Sequence, residues 1–430
     1  MINIGIIGFG TVGTGTASIL IKNRKLLKDR TGFDIHLKKI ADLDIKRDRG
    51  IRLPKGVLTN NADSLIADPD IPIIVELIGG TTVAKEIMLK AIRNGKHVVT
   101  ANKALLATHG TEIFKAAERN GVRVGFEASV AGGIPIIKII SEGLVANRIK
   151  SIYGIINGTT NYILSKMSDE KAEFSDVLKE AQNLGYAEAD PTYDIEGIDS
   201  AHKLAILASL AYGSQFSLKD VYREGISGIS SMDIEFAREL GYKLKLLAIT
   251  KETNGKIELR VHPTMIPEEF LLSKVDGVFN AVYVEGDAVG STLYYGRGAG
   301  DMPTGSAVVS DIVDISCDIV HKTIGRNPLF SRGDKGKNLL KMDDVISMYF
   351  FRFSAIDKPG VLSKISGILG KYNISIASVI QKDRRAGKAV PLVVLTHRAR
   401  EKDVLSAVKE INKLPIVADK TVFIRVEGRE

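Results

Sequence analysis

The chain has 430 residues, 44% hydrophobic and 26% charged, which describes an ordinary globular protein of two or three domains. Its formal net charge is +8, but basic and acidic residues are mixed and no nucleic-acid-binding motif accompanies them, so we expect no nucleic-acid partner. The single cysteine, Cys317, excludes an internal disulfide and a cysteine-based metal cluster. Because no stretch is apolar enough to span a bilayer and a strand is predicted from the start, we expect no membrane partner and a cytoplasmic location.

The first third alternates short aliphatic runs with helical patterns. The predicted strands are 2–9, 34–42, 71–79, 96–102 and 122–129, and the predicted helices are 11–27, 85–95 and 110–121. Such alternation is typical of βαβ units and predicts a Rossmann-type parallel sheet in an α/β domain. The almost continuously apolar third strand fits a strand buried on both faces.

A glycine-rich turn joins the first strand to the first helix and has the form G-x-G-x-x-G. Its residues are Gly8, Phe9, Gly10, Thr11, Val12 and Gly13. The first glycine permits a tight turn, the second lets a pyrophosphate approach the backbone, and the third lets helix and strand pack closely. Because the motif lies between a strand and a helix, it predicts that NAD or NADP binds here.

The end of the second strand leaves the choice between the two cofactors open. Asp42 or Asp44 could accept a hydrogen bond from the ribose 2′-hydroxyl of NAD and repel the 2′-phosphate of NADP. Lys46, Arg47 and Arg49 follow directly and could hold that phosphate instead, or could belong to a solvated loop.

The pattern changes in the middle of the chain, from about residue 140 to 300, where helices are longer and strands sparser. Strands predicted at 257–266, 278–286 and 291–298 suggest an antiparallel sheet that could carry an interface between subunits. A strong helix is predicted over 303–322. This part is predicted to be an α+β catalytic and dimerisation domain.

An acidic block at 184–213 runs into an apolar helix that contains one lysine. The helix is predicted to begin near Gly197, which places Asp199 and Lys203 one turn apart on the same face. The helix dipole lowers the pKa of Lys203 because it disfavours a cation near the helix N-terminus, whereas the nearby acids raise it. This balance suits a lysine that exchanges a proton with an oxygen. The alternative is an exposed salt bridge between the two residues.

The last part predicts a compact βαββαβ unit that begins at about residue 347. A polar, irregular stretch precedes it and is interpreted as a linker. The predicted division is therefore 1–130 for the dinucleotide-binding domain, 131–325 for the catalytic domain, 326–346 for the linker and 347–430 for the final domain.

Four motifs in chain order make the sequence specific: "GFGTVG", "TANK" at 100–103, "GYAEADPTYDIEGIDSAHK" and "GRGAGDMPTGSAVVSDIVDI". Over residues 1 to about 325, the chain resembles homoserine dehydrogenase of the type without a fused kinase. The tail, with "DKPGVLSKISGIL", resembles an ACT domain, a βαββαβ regulatory module.

The resemblance implies NAD(P)-linked interconversion of L-homoserine and L-aspartate 4-semialdehyde, in the route to threonine, methionine and isoleucine. By matching motif positions, Lys203 would donate the proton to the aldehyde oxygen. Lys103 would be a second lysine near the reacting carbon and the cofactor, and Glu188 and Asp199 would bind the substrate. A positioned ammonium stabilises a developing alkoxide and supplies its proton, which agrees with these roles.

The resemblance also implies cofactor and cation contacts outside the glycine-rich turn. Gly185 and Gly300 would lie against the cofactor, and so would Thr81, although "GTT" at 80–82 departs from the more variable loop expected there. The loop "FEASVAGGIP" would surround a monovalent cation, Na⁺ or K⁺, because oxygen ligands suit a hard ion. The cation ligands implied are Glu127 and the backbone carbonyls of Val130, Gly132 and Ile134. Alternatively, the two glycines before Pro135 form a flexible crossing between domains.

For the tail, the resemblance implies binding of an amino acid effector, with L-threonine as the natural end product, near the turn "DKPG" that ends at Gly360. The alternative is a purely structural dimerisation domain. We expect a homodimer or homotetramer.

Two other functions compete with this one. A phosphorylating semialdehyde dehydrogenase needs a cysteine nucleophile in a site loop, but Cys317 lies in a predicted helix outside every motif. A non-catalytic sensor of dinucleotide and amino acid would not need Lys203 or Glu188, yet both are present.

Overall fold

The computed structural model describes residues 1–323, 338–382 and 388–428. The chain forms two compact contact units, each built from several segments. Unit 1 comprises Met1–Gly158, Asp199–Val221 and Phe279–Lys337, and unit 2 comprises Thr159–Ile198, Tyr222–Val278 and Asn338–Glu430. The four-segment division from the sequence remains a prediction, and most of its linker lies outside the described residues.

The first third of the chain folds as the alternation predicts. Its strands are β1 (Ile2–Ile7), β2 (Ile35–Ala41), β3 (Leu58–Thr59), β4 (Ile73–Glu76), β5 (His97–Thr100) and β6 (Val124–Gly125). Its helices are α1 (Thr11–Lys22), α2 (Arg24–Thr31), α3 (Ala62–Ala67), α4 (Thr82–Arg93) and α5 (Lys103–Arg119). The strands form a parallel sheet in the order β3-β2-β1-β4-β5-β6, the strand order of a dinucleotide-binding fold. The predicted Rossmann-type sheet is confirmed.

The single helix predicted over 11–27 is wrong in one detail, because the chain breaks at Asn23. Asn23 leaves the helical region with φ −98° and ψ 10°, and its backbone N–H closes α1 by donating to the carbonyl of Ile19. All of α2 lacks buried residues, whereas α1 is mostly buried. The two helices therefore differ in burial, since α2 contributes only the partly buried Leu27 to the core against which α1 packs.

The middle of the chain holds five strands of seven or more residues and one short strand. They are β7 (Ile149–Ile155), β8 (Tyr222–Arg223), β9 (Tyr242–Thr253), β10 (Lys256–Pro267), β11 (Phe279–Gly286) and β12 (Gly290–Arg297), of which β8 is the short one. The helices are α6 (Ile136–Lys138), α7 (Gly158–Glu170), α8 (Phe174–Asn183), α9 (Thr192–Ile195), α10 (Ile198–Tyr212), α11 (Ser231–Glu239) and α12 (Asp301–His321). The helix predicted over 303–322 is confirmed as α12, and α10 begins directly after Gly197, as expected.

The predicted antiparallel sheet exists, but its pairing differs between the two units. In unit 1, β11 lies between β7 and β12 and is antiparallel to both. In unit 2, β10 forms a long hairpin with β9, a strand that the sequence did not predict. Both hairpin strands are buried over most of their length, so polar and apolar residues alternate only over 242–246 at the start of β9 and then give way to an apolar run.

The tail has the predicted βαββαβ order with one additional two-residue strand. Its elements are β13 (Ile346–Ile356), α13 (Val361–Lys371), β14 (Ile376–Ile380), β15 (Ala389–Thr396), β16 (Ala399–Arg400), α14 (Glu401–Ile411) and β17 (Val417–Val426). Within unit 2 the tail is not a separate sheet, because β17 pairs with β13 on one side and, over two residues, with β10 on the other.

The helices of the described chain include none long and apolar enough to cross a membrane.

Candidate active site

Two lysines share one buried carboxylate in unit 1, and we call these three residues the lysine cluster. Asp199, in the first turn of α10, accepts a hydrogen bond from the Nζ of Lys203 at 2.7 Å through one oxygen. Its other oxygen lies 2.9 Å from the Nζ of Lys103, the first residue of α5. The cluster therefore carries two cations and one anion, an excess of one positive charge.

The backbone at the end of β7 completes the lysine cluster. The ammonium of Lys203 donates to the carbonyl of Ile156 at 2.7 Å, and the side-chain amide of Asn157 donates to Asp199 at 2.9 Å. Burial alone would raise the pKa of Asp199, but the charges of Lys203 and Lys103 and the bonds from Lys203 and Asn157 hold it well below its usual range. Asp199 is thus ionised at every working pH and orients both ammonium groups.

The pairing of Asp199 with Lys203 settles the local alternative left by the sequence. The i,i+4 ion pair is present, but it is buried, with 11% of the Lys203 side chain and 4% of the Asp199 side chain exposed. Lys103 is more open, with 33% of its side chain exposed. An exposed surface salt bridge is therefore the wrong description of this pair.

The glycine-rich turn has the backbone that a dinucleotide requires. Gly8 has φ +103°, and a Cβ there would lie 2.5 Å from the carbonyl carbon of Leu77, so no other residue fits. The space around the Cα of Gly10 is open, whereas a Cβ on Gly13 would overlap the carbonyl of Gly8. No side chain caps the N-terminus of α1, so its N–H groups are available to an anion.

A second helix N-terminus approaches the same place. A Cβ on Gly15 of α1 would overlap the carbonyl of Asp301, and one on Gly305 would come within 2.8 Å of the Gly15 backbone. The first turns of α1 and α12 therefore pack against each other, and Gly300, the predicted cofactor contact, immediately precedes α12 with φ +126°. The positive end of the α12 dipole therefore lies beside α1.

The loop after β2 ties its acid and its arginine to the glycine-rich turn. Asp42 accepts from the backbone N–H of Phe9 at 2.6 Å and from the guanidinium of Arg49 at 3.0 Å. Arg49 also donates to the carbonyl of Phe9, and its guanidinium lies 4.8 Å from the centre of the Phe9 ring. Arg49 therefore offsets the charge of Asp42 where the adenosine ribose of a dinucleotide would lie.

The predicted cation loop holds a buried carboxylate, Glu127, whose pKa is raised. Glu127 is 1% exposed and accepts from the backbone N–H groups of Ile137 at 2.8 Å and Lys138 at 2.9 Å. Burial and the neighbouring Asp311 raise the pKa of Glu127 to about 7, and burial raises that of Asp311 to about 7 as well. The described residues contain no group of three or more His, Cys, Asp or Glu side chains that could hold a metal.

The carbonyl ligands implied for the cation lie in a tightly packed turn. Gly132 has φ +40°, and a Cβ there would lie 2.5 Å from the carbonyl oxygen of Gly298. The carbonyl of Ile134 accepts from the backbone N–H of Ile136 at 2.7 Å, and Val130 is fully buried. Oxygen ligands suit a hard ion such as Na⁺ or K⁺, so the donor types implied here match it in chemistry.

Three further predicted site residues are described by their local settings alone. Thr81 precedes α4, directly after two glycines with positive φ. Glu188 and Gly185 belong to unit 2, in an exposed turn after α8, where the Gln182 side chain donates to the Glu188 carbonyl. Their proposed contacts with substrate and cofactor remain predictions.

Sequence reasoning missed Asn157, Glu76 and Asn102, which position the site from the ends of β7, β4 and β5. Glu76 and Asn102 stand at the carboxyl ends of strands in the parallel sheet, which is where ligands bind in such folds, whereas Asn157 follows β7, which is antiparallel to β11. That position was the available signal for Glu76 and Asn102.

Comparison with protein families matches three models in chain order. They are described as "Homoserine dehydrogenase, NAD binding domain" over residues 8–127, "Homoserine dehydrogenase" over 135–313 and "ACT domain" over 349–416. Together they cover the glycine-rich turn, the lysine cluster and most of the βαββαβ tail.

Similar proteins match almost the whole chain. A homoserine dehydrogenase of Neisseria gonorrhoeae is 50% identical over 430 residues, 99% of both chains. The crystal structure of a homoserine dehydrogenase from Thiobacillus denitrificans has 49% identity and a TM-score of 0.93, covering 99% of this chain and 98% of that one. A hyperthermophilic archaeal homoserine dehydrogenase mutant in complex with NADPH is 28% identical, with a TM-score of 0.62, over 73% of this chain and 97% of its own.

Proposed function

The chain belongs to the homoserine dehydrogenase family, and from this we propose that the lysine cluster performs proton transfer in the interconversion of L-homoserine and L-aspartate 4-semialdehyde. The family is one of oxidoreductases, and this member has an NAD-binding domain and an ACT regulatory domain. The observation that carries the proposal is that two ammonium groups converge on one buried carboxylate with an excess of positive charge.

The chemistry needs a hydride and a proton. The dinucleotide, when bound, supplies the hydride to the aldehyde carbon or accepts it back. Lys203 donates its proton to the aldehyde oxygen as the oxygen becomes an alkoxide, and it removes the proton in the oxidation of homoserine. Lys103 stabilises the negative charge on the same oxygen, and Asp199 keeps both lysines oriented. In the oxidation of homoserine, Lys203 accepts the proton as the neutral amine.

Glu188 and Asp199 are proposed to hold the substrate through its ammonium group. Glu188 is exposed and can reach a ligand, whereas Asp199 is already engaged by both lysines. We therefore expect Glu188→Gln to raise the KM for homoserine more than it lowers kcat.

An activity assay tests the proposal directly. The purified protein is incubated with L-homoserine and NAD or NADP while the absorbance of the reduced nicotinamide is followed, with L-serine as the control substrate. Turnover of homoserine with either cofactor, and none with serine, is expected. Absence of turnover in both directions with both cofactors would contradict the proposal.

We propose that the protein uses both NADP and NAD, and that Arg49 raises its affinity for NADP. The support is that Arg49 offsets Asp42 beside Phe9, and that a relative binds NADPH. Gly300, Gly185 and Thr81 are proposed to line the rest of the cofactor site. Arg49→Ala should raise the KM for NADP at least tenfold more than the KM for NAD, whereas equal changes would contradict this assignment.

We also propose a Na⁺ or K⁺ ion bound by Glu127 and the carbonyls of Val130, Gly132 and Ile134. Because the folded-state pKa of Glu127 is raised to about 7, its ionisation costs stability as the pH rises from about 4.5 to about 7. Thermal unfolding at pH 8 in KCl or NaCl should occur at a higher temperature than in choline chloride. The difference should vanish in Glu127→Gln, and a persistent difference would refute the site.

The ACT domain is proposed to bind an amino acid effector, L-threonine, near Gly360, where φ is +87° and the space around the Cα is open. Inhibition by L-threonine but not D-threonine is expected, and its absence would favour a structural role for the tail.

We propose a homodimer through the partly exposed aromatic face of the β7-β11-β12 sheet, where Tyr153 pairs with Tyr283 and Phe279 stacks on Tyr295. A homotetramer would need a second interface. Sedimentation of the wild type and of Tyr295→Arg tests this, since the substitution should shift the protein toward monomer. Cytoplasmic location remains a prediction.

A further inference from the structure

A buried carboxylate at the end of β4 links the two loops that flank the carboxyl edge of the parallel sheet. Glu76 is the last residue of β4, its side chain is fully buried, and in the sheet it lies between Ile7 of β1 and Thr100 of β5. This position is the centre of the edge where the dinucleotide-binding turn begins.

Both carboxylate oxygens of Glu76 accept hydrogen bonds, one from the backbone and one from a side chain. One accepts from the backbone N–H of Ile78 at 2.9 Å, which fixes the loop that precedes α4. The same loop lies against Gly8, because a Cβ on Gly8 would come within 2.8 Å of the Ile78 nitrogen. The other oxygen accepts from the hydroxyl of Thr100 at 2.7 Å.

From Thr100 the hydrogen bonds continue to the start of α5. The Thr100 hydroxyl accepts from the backbone N–H of Asn102 at 3.0 Å. The side chain of Asn102 accepts from the Leu105 N–H at 3.0 Å, capping α5, and donates to the carbonyl of Gly80 at 2.6 Å. Glu76, Thr100 and Asn102 therefore join the two loops into one hydrogen-bonded frame, which we call the Glu76 frame.

Lys103 follows the Glu76 frame directly as the first residue of α5, with its ammonium 2.9 Å from Asp199. A lysine at a helix N-terminus is repelled by the helix dipole, and its side chain has four rotatable bonds. Its backbone must therefore be held firmly if the ammonium is to stay near a reacting oxygen. On its N-terminal side the chain is the segment Thr100–Asn102, which Glu76 anchors through Thr100.

We propose that Glu76 is a positioning residue for the reaction, which acts through Thr100 and Asn102 to place Lys103 against Asp199. The inference rests on the proposed role of Lys103 and adds to it. A misplacement of about 1 Å in an active site can cost about 100-fold in rate, so loosening the frame is costly even though Glu76 touches no reacting atom.

The role requires an acceptor at each Glu76 oxygen. Burial raises the pKa of Glu76, while hydrogen bonds from Thr100, Ile78, Gly79 and Asn102 lower it. The side chain of a glutamine has one accepting oxygen and one donating NH₂ group. If its oxygen accepts from the Ile78 N–H, its NH₂ group faces Thr100, whose hydroxyl must then accept a hydrogen bond instead of donating one. We therefore expect Glu76→Gln to be intermediate between the wild type and Glu76→Ala.

The test is a double-mutant cycle between Glu76 and Lys103, measured in the oxidation of homoserine as kcat with the KM values for homoserine and NADP. Glu76→Ala should lower kcat about 10- to 100-fold in the wild-type background and less than about twofold in the Lys103→Ala background. Val75→Ala, on the same buried strand, is the matched control that lowers stability without touching the Glu76 frame.

A conservative pair tests the relay at its middle. Thr100→Ser keeps the hydroxyl and should retain kcat within about threefold, whereas Thr100→Val removes the hydroxyl at similar volume and should lower kcat about tenfold. Since Thr100 is fully buried, both variants are compared by urea unfolding to correct for the folded fraction.

The outcomes separate the inference from the proposed function. If Lys103→Ala lowers kcat but Glu76→Ala lowers it by the same factor in both backgrounds, Glu76 does not act through Lys103 and the inference is overturned. If Lys103→Ala retains wild-type kcat, the proposed role of Lys103 fails and the inference fails with it. Equal loss of kcat in Val75→Ala and Glu76→Ala would also overturn it, because the effect would then be one of stability.

Discussion

Two buried ionic clusters, one in each contact unit, differ in charge balance and in access to solvent. In unit 2, an arginine network of Arg260, Arg425, Glu401, Glu427 and their neighbours lies between β10, β13 and β17. Arg425 donates to Glu401 at 2.9 Å and to Glu224 at 2.7 Å, and only 1% of its side chain is exposed. Here each arginine has two carboxylate partners.

Arg260 repeats this arrangement with Glu427 and Glu258, also with 1% of its side chain exposed. The lysine cluster of unit 1 has the opposite balance, with two cations for one carboxylate, and one of its lysines is a third exposed. The arginine network leaves no cation in excess and holds strands together, whereas an excess cation near solvent can receive a negatively charged oxygen. Burial of ionic groups alone therefore does not distinguish catalysis from structure.

The largest expected effect is on the lysine cluster. Lys203→Ala should lower kcat by about 10²- to 10⁴-fold, the usual contribution of a positioned proton donor, with little change in the KM for the cofactor. Steady-state kinetics measure both quantities.

The matched control is Lys245→Met, which removes another buried lysine, bonded to Asp276 at 2.7 Å and to the Val275 carbonyl at 2.6 Å. It should lower stability and leave kcat per folded molecule unchanged. A Lys203→Ala protein with near-normal turnover would remove the distinction between the two clusters.

The second effect is on the arginine network. Arg425→Met leaves Glu401 and Glu224 without their cation and should lower the free energy of unfolding by about 3 to 5 kcal/mol, because an uncompensated buried charge is costly. Urea unfolding measures this change.

Arg400→Met is the control, since the ion pair of Arg400 with Asp344 is exposed and should contribute less than about 1 kcal/mol. Equal losses in the two variants would mean that burial does not strengthen the network.

The third effect is a pH dependence at Glu427. Burial would raise its pKa, but Arg260 and Lys251 lower it to about 2. Since the pKa in the folded state is below the ordinary value of 4.5, ionised Glu427 stabilises the fold above pH 4.5, and this contribution is lost as the pH falls toward 2. By linkage it amounts to about 3 kcal/mol.

Unfolding of the wild type and of Glu427→Gln across pH 2 to 7 checks this value. The two curves should differ at neutral pH and converge in acid. Parallel curves would show that Glu427 is not shifted.

The smallest effect is at the rim of the arginine network. The hydroxyl of Tyr349 donates to Glu401 at 2.6 Å in a fully buried setting, so Tyr349→Phe should cost about 1.5 to 3 kcal/mol of unfolding free energy. Tyr372→Phe loses a similar bond to Glu410 near the surface and should cost less than about 1 kcal/mol. A larger loss in Tyr372→Phe would contradict the role of burial.

Much of the fold follows from local patterns. The glycine-rich turn, the βαβ alternation and the βαββαβ tail were predictable because each depends on residues close in sequence. The β9 strand was not predictable, since the buried Lys245 interrupts its apolar pattern. The charge of Lys245 is paired with Asp276, which lies 31 residues further along the chain. The break at Asn23 was missed because the apolar period continues almost to it.

The candidate site divides in the same way. The pairing of Asp199 with Lys203 follows from i,i+4 spacing, and Lys103 and the glycines came from motifs. Three other contacts join residues that lie 24 to 96 positions apart in the sequence, so no local pattern predicts them. They are Lys103 with Asp199, Asn157 with Asp199 and Glu76 with Thr100.

The sequence by itself determined the family, the parallel sheet with its dinucleotide turn, and the residue types able to move a proton, because those depend on local spacing and backbone freedom. Only the tertiary structure decided that one carboxylate pairs with two lysines and that Glu76 is hydrogen-bonded to the segment before the helix carrying one of them. It also decided that Arg260 and Arg425 are buried among carboxylates. Charge balance and burial are properties of groups brought together by folding, so they are not encoded at any single position.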